Sequence, residues 1–220
     1  MLAQIVLFDG FDPLDVIAPY EVLGAGGAVA GGALTVELVS AEGPREVPGG
    51  LGMLTLRATA ALDPERADLV LVPGAAGRIS DDGGADTVPA VLGRSLETPL
   101  PGLLKAACDR PGVTMTTVCG GSMVLAMAGL ITGRRATTHH MGLDALAAAG
   151  VHAIDARVVD DGDLVTGAGV TSGLDLALHL LERELGPRIA HEVEKLFSHE
   201  RRGTVWSARG TAPVLEGLPA

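Results

Sequence analysis

The sequence predicts an α/β domain with a mostly parallel central sheet and helices on both faces, on three observations. Short runs rich in Val and Ile alternate with Ala/Leu patterns of helical period, the signature of βαβ units. Apolar residues make up 47% of the 220 and charged residues 20%, enough for a real core. A β-branched run, residues 113–118, stops abruptly at Cys119-Gly120-Gly121, where a helical pattern begins.

The first run, residues 3–8, has no basic stretch and no cleavage pattern, so it reads as a strand and not as a leader peptide. Further strands are predicted at 35–40, 69–72, 114–118, 135–138, 156–159 and 164–166. Helices are predicted at 15–24, 88–109, 121–128, 141–149 and 172–185, and at 187–198, where Pro187 suits a first helical position. Residues 42–56, with Pro44, Pro48 and Gly49-Gly50, fit an antiparallel hairpin. Residues 78–89, with Asp81-Asp82-Gly83-Gly84, fit a loop at the carboxyl edge of the sheet. No repeat or linker divides residues 1–200, and periodicity fades from Arg201, so one domain with an extended tail over 201–220 is expected.

Composition excludes several functions. With 16 Lys and Arg against 27 Asp and Glu the net charge is −11, and aromatics are only 2%. A nucleic-acid binder needs a basic stripe and stacking platforms. The apolar runs break well before the roughly 20 residues of a membrane helix. Two cysteines make no disulfide framework. The expectation is a soluble, cytoplasmic protein that binds neither nucleic acid nor membrane.

In an open parallel sheet, ligands sit at the carboxyl ends of the strands. The Cys119 turn has the form of a nucleophile elbow, which holds a reactive side chain proud of the sheet. Glycine at the second position after the nucleophile, Gly121, removes a Cβ that would clash there. Backbone N–H groups at the following helix start favour thiolate, so the thiol is expected below its free value of about 8.5. The competing reading is a buried core cysteine; Cys108, inside an amphipathic helical pattern, fits that description. Two neighbours complete the candidate site. Asp15, at the start of the first helix, fits either an N-cap or a proton partner of Cys119. The Val72-Pro73-Gly74-Ala75 turn offers backbone at Gly74 and Ala75 which, with Gly120, can hold developing negative charge.

These segments together resemble the ThiJ/PfpI superfamily of the class I glutamine amidotransferase-like fold: Asp12-Pro13-Leu14-Asp15-Val16-Ile17-Ala18-Pro19-Tyr20-Glu21-Val22, the Leu71-Val72-Pro73-Gly74 turn, Val118-Cys119-Gly120-Gly121-Ser122, Arg135-Ala136-Thr137-Thr138-His139-His140-Met141 and the block from Val165 to Leu180. The similarity spans roughly residues 1–200 and is nearest the isonitrile hydratase branch. It implies a flavodoxin-like sandwich, a homodimer, a small-molecule substrate and a cofactor-free site. Cys119 would be the nucleophile and Asp15 the acid/base in hydration of an isonitrile to an N-substituted formamide. That branch carries Thr directly after the cysteine, where this chain has Gly120. Regulators of the AraC type share the blocks, but the about 20 residues after Ser198 are too few for their two DNA-binding units. A glutathione-independent glyoxalase or deglycase, and a non-enzymatic oxidation sensor, are the alternative functions.

His139, after a short strand, and Arg78, on the 78–89 loop, are candidates to line the substrate. His191-Glu192-Val193-Glu194-Lys195 lacks the second histidine of a zincin helix, and no Cys/His cluster has zinc spacing, so no metal is expected.

Overall fold

The computed structural model describes residues 1–52, 54–80 and 82–214. In chain order the strands are β1 (Leu2–Leu7), β2 (Thr35–Ser40), β3 (Arg45–Pro48), β4 (Thr55–Ala58), β5 (Ala60–Ala61), β6 (Leu69–Val72), β7 (Thr114–Val118), β8 (Arg135–Ala136), β9 (His152–Ala153), β10 (Val158–Asp160), β11 (Leu164–Gly167) and β12 (Trp206–Ser207). The helices are α1 (Pro13–Val29), α2 (Val88–Ser95), α3 (Leu100–Asp109), α4 (Gly121–Met127), α5 (Leu143–Ala148), α6 (Ser172–Leu185) and α7 (Pro187–Phe197). Eight strands form one sheet in the order β12-β10-β11-β7-β6-β1-β2-β5, parallel except between β10 and β11. Helices α1, α6 and α7 pack together on one face, while α2, α4 and α5 lie on the other.

The central strands β1, β6 and β7 are buried on both faces, β1 and β6 mainly through Val, Leu and Ile and β7 through Met115, Val118 and two buried threonines, Thr116 and Thr117. The chain leaves β1 toward β2, then returns to β1's other side through β6 and β7. Strand order therefore reverses at β1 and β6, and their carboxyl ends open a crevice. The predicted hairpin is present, β3 pairing antiparallel with β4 from Arg45 against Ala58 to Pro48 against Thr55.

Three expectations are corrected. The predicted 88–109 helix is two helices, because Pro99 has no N–H to give and its ring crowds the turn before it. The Ser95 and Thr98 hydroxyls bond to the Leu92 and Ser95 carbonyls at the break. Helix α1 outruns its predicted end at Gly24 and continues to Val29. Its glycines admit close neighbours: a Cβ on Gly27 would stand 2.0 Å from the Leu34 carbonyl oxygen, and one on Gly26 would stand 2.3 Å from Leu181. Tertiary packing overrides weak helix propensity here. Third, the segment from Arg201 is fastened to the domain. Arg201 pairs with Glu194 and Glu182, the Arg202 N–H donates to Asp175, and Trp206–Ser207 extends the sheet beside Val159 and Asp160. Residues 215–220 of the expected tail, and Asp81, lie outside the described residues.

The contrast within α1 is testable. Gly24 faces open space, so Gly24→Ala is expected to stabilise by about 1 kcal/mol. Gly27→Ala is expected to destabilise by more than that, because backbone must move to admit its methyl group. Urea unfolding of the two variants decides it; equal effects would contradict the packing account.

Candidate active site

The site gathers where β1, β6, β7 and β11 end. Cys119 follows β7 with φ 53°, a left-handed conformation that costs a side chain strain. The surroundings hold it there. Its N–H is shared between the carbonyls of Gly167 (3.0 Å) and Ala168 (2.8 Å), and its own carbonyl accepts the Thr138 hydroxyl at 2.8 Å. Below, the Ser122 hydroxyl bonds the Thr137 carbonyl (2.5 Å) and meets Thr117 Oγ1 at 2.8 Å, fixing the start of α4 on the end of β7. A Cβ on Gly121 would fall 2.0 Å from the Val72 carbonyl oxygen, so the turn requires glycine there, as the sequence suggested. Cys119 is half-buried.

Asp15 is fully buried in the first turn of α1, and it is not the N-cap. Asp12 is, accepting the Leu14 N–H at 2.9 Å. Asp15 Oδ2 accepts the Gly74 N–H at 2.9 Å, while buried Oδ1 has no partner among the described residues. A Cβ on Gly74 would lie 2.8 Å from Asp15 Oδ2 and 2.6 Å from the Gly120 nitrogen. Gly74 is thus squeezed between the carboxyl and the elbow, and only glycine lets the two approach. The bond to Asp15 corrects the expectation for Gly74: its N–H is already spent. The N–H of Ala75 has no backbone acceptor among the described residues, while that of Gly120 is directed at the Cys119 sulfur.

Electrostatics corrects a second expectation. Burial pushes the Cys119 thiol up, nearby Asp15 pushes it further, and the Gly120 N–H only partly opposes them. Asp15 is also raised well above the ordinary carboxyl range, first by burial and then by the charge of Asp12, with the Gly74 hydrogen bond opposing. Low dielectric outweighs the helix start, and the pair favours a protonated thiol beside a protonated acid. Cys108, packed against the core, is pushed up to about 11 by burial and then by Asp109.

Neither remaining candidate makes a hydrogen bond to the sulfur among the described residues. His139 makes no hydrogen bond to Cys119 among the described residues; its Nδ1 accepts the Met141 N–H at 3.3 Å and its ring lies 4.2 Å from that of His140. Burial and His140 lower its pKa, so the ring is neutral and its edge backs Gly169. Arg78, expected to touch substrate, gives its guanidinium to Asp82 and Asp86 within its own exposed loop. Sequence reasoning missed Thr138, whose hydroxyl holds the Cys119 carbonyl. Its signal was the threonine pair just before His139, read there as strand and as part of a family block but given no role at the site.

No described helix is long and apolar enough to cross a membrane, and no group of three or more metal-ligating side chains occurs among the described residues.

Known proteins share this architecture. An isonitrile hydratase of Pseudomonas putida is 33% identical over 192 residues, covering 86% of this chain and 74% of that one. Two crystal structures superpose on the fold. A ThiJ/PfpI family protein from Pseudomonas syringae does so with a TM-score of 0.75 at 24% identity, over 99% of this chain and 78% of that one. Drosophila melanogaster DJ-1beta gives 0.74 at 20%, over 90% and 98%. Residues 1–183 match the DJ-1/PfpI family, and the chain belongs to that family.

Proposed function

We propose that the protein is a cofactor-free enzyme that adds water to the terminal carbon of a small isonitrile, with Cys119 as nucleophile and Asp15 as proton carrier. One observation carries the reading: a buried carboxyl with one bonded and one unpartnered oxygen shares its electrostatics with a half-buried thiol. An isonitrile takes its proton and its nucleophile at the same carbon, so a thiol beside a protonated acid suits it better than a free thiolate would.

The steps balance as follows. The Cys119 sulfur bonds to the terminal carbon, the Asp15 carboxyl proton goes to that carbon, and the thiol proton passes to the resulting carboxylate. The product is a thioimidate, R–N=CH–S. Water adds to the same carbon with one proton moving to nitrogen. The C–S bond then breaks, the second water proton restores the thiol, and R–NH–CHO leaves. The N–H of Ala75, together with that of Gly120 beside the sulfur, is suited to hold the oxygen of the water adduct. A thiol held in its protonated form counts against the oxidation-sensor reading, because peroxide attacks the thiolate.

The test is incubation with cyclohexyl isocyanide and quantitation of the formamide by mass spectrometry. Cys119→Ala is expected to abolish turnover, and Asp15→Asn to lower it roughly hundredfold, the size of a general acid contribution. Formamide from Cys119→Ala at the wild-type rate excludes the mechanism; lactate from methylglyoxal without formamide favours the glyoxalase alternative.

Gly120 separates this chain from the Thr-bearing pattern of the isonitrile hydratase branch. The nearest atoms to a Cβ there are the flexible ends of Leu92, at 3.3 and 3.7 Å, and the Gly74 Cα at 3.5 Å. Gly120→Thr is therefore expected to fold with stability within about 1.5 kcal/mol of wild type and to raise formamide yield. A collapse in stability would show that the elbow has no room for a hydroxyl-bearing side chain.

Asp15 also sets a pH dependence of stability. A carboxyl raised on folding stabilises fully below its unfolded value near 3.8, and that contribution is lost as pH climbs through its folded value. Asp15→Asn should then melt above wild type at pH 8, by about 1.4 kcal/mol for each unit of elevation. The gap should close near pH 4. Parallel melting curves across that range would mean the carboxyl is not elevated.

A further inference from the structure

Behind the elbow lies a group of charged side chains that the proposed chemistry does not use. Arg157, just before β10, reaches the loop between β11 and α6 from both ends. Its backbone carbonyl accepts the Ala168 N–H at 3.0 Å, and its guanidinium Nη2 donates to Thr171 Oγ1 at 3.1 Å. The loop so bracketed, residues 168–171, supplies the Ala168 carbonyl that receives the Cys119 N–H, and its Gly169 lies against the His139 ring. Thr171 precedes α6 in the cap position, yet its hydroxyl makes no capping bond and is turned to Arg157 instead.

The guanidinium is itself held. Arg157 Nε donates to Asp175 Oδ2 at 2.6 Å, and Asp175 is 3% exposed. Asp175 Oδ1 accepts the Arg202 N–H at 2.8 Å, and His199 Nε2 stands 3.5 Å from that oxygen. A buried carboxylate on α6 thus joins β10, the segment after α7 and the wall of the elbow. Arginine is the residue this geometry calls for, since the two bonds leave from separate nitrogens of one rigid plane, Nε and Nη2, whereas an ammonium presents all its donors from one atom.

We infer that Arg157, oriented by Asp175, is a positioning residue for Cys119: it clamps the 168–171 loop against the elbow and thereby keeps the nucleophile in its strained, half-buried conformation. Neither side chain touches the sulfur. The assignment rests on the proposed role of Cys119 as nucleophile, and its test reads the sulfur directly, so absence of isonitrile turnover leaves it open to refutation on its own terms. With the clamp loosened, the elbow relaxes toward solvent. The thiol then titrates closer to a free cysteine while the groups around the substrate lose alignment. Alkylation and turnover therefore move in opposite directions; unfolding would also expose the thiol, so a temperature well below melting and the Arg201→Ala control separate a relaxed elbow from lost fold.

The experiment measures iodoacetamide alkylation of Cys119 against pH by peptide mass spectrometry, well below the melting temperature. Arg157→Lys keeps the charge and loses the fork; Thr171→Val removes only the exposed end of the clamp. Both are expected to raise the alkylation rate at pH 7.5 several-fold, on the order of five, and to move its midpoint downward. Formamide production, where wild type shows it, falls by a similar factor with KM little changed. Arg201→Ala cuts the bonds of the same segment to Glu182 and Glu194 without touching Asp175, and is expected to leave the alkylation profile as in wild type. Unchanged profiles in both Arg157→Lys and Thr171→Val, or an equal change in Arg201→Ala, would overturn the assignment.

Discussion

The structure turns on one close passage of backbone, where the turn after β6 runs against the elbow after β7. Gly74 has the Gly120 nitrogen and Asp15 Oδ2 within 2.8 Å of its missing side-chain position, and Gly121 has the Val72 carbonyl oxygen within 2.0 Å of its own. Neither contact tolerates a Cβ. Because the two turns touch, the N–H of Gly74 reaches Asp15, and the carboxyl is drawn into the same buried space as the sulfur. Thr138 and the Gly167 and Ala168 carbonyls close the elbow from the other side.

That passage creates a conflict between burial and charge. Sequence reasoning weighed the helix start and expected a thiolate, as would hold for a cysteine facing water at a helix end. In the fold, desolvation comes first and Asp15 second, and both push the thiol the other way. Burial also raises Asp15, whose second oxygen has no partner among the described residues to offset the cost. A site with two elevated acids is poor at storing an anion and good at passing a proton. This is why the isonitrile reading, which needs a proton and a nucleophile at one atom, fits better than oxidation sensing.

Much of the architecture was legible because period and length carry it. Strands β2, β6 and β7 have their predicted bounds, and so does α6. Misses fell where long-range contacts decide. The glycines of α1 read as an ending until Leu34 and Leu181 are seen to occupy the space they leave. The two-residue strands β5 and β12 have no periodic signal, since pairing with a neighbour defines them. At the site, Cys119 and Gly121 were legible from local turn chemistry. Asp15 was left between N-cap and proton partner; Asp12, which takes the cap, was not weighed for it, and only the fold shows Asp15 buried. What Arg78 pairs with was equally hidden: its partners Asp82 and Asp86 lie in the same loop, and a loop can satisfy its own charges.

The contrast between Arg78 and Arg157 shows what makes a distant charge matter to a site. Arg78 bonds side chains of its own exposed loop, so losing it changes mainly that loop, and exposed pairs of this kind contribute little. Arg157 bonds a carboxylate that is 3% exposed and a hydroxyl on a different segment, and its carbonyl carries a further rung of the sheet. Removing one member there leaves a buried charge without its partner and frees a loop whose carbonyl holds the Cys119 N–H. Strain at Cys119 persists only while its neighbours over-determine it. The groups that maintain reactivity are therefore to be sought among the buried, cross-segment partners of the elbow, even when several bonds separate them from the sulfur.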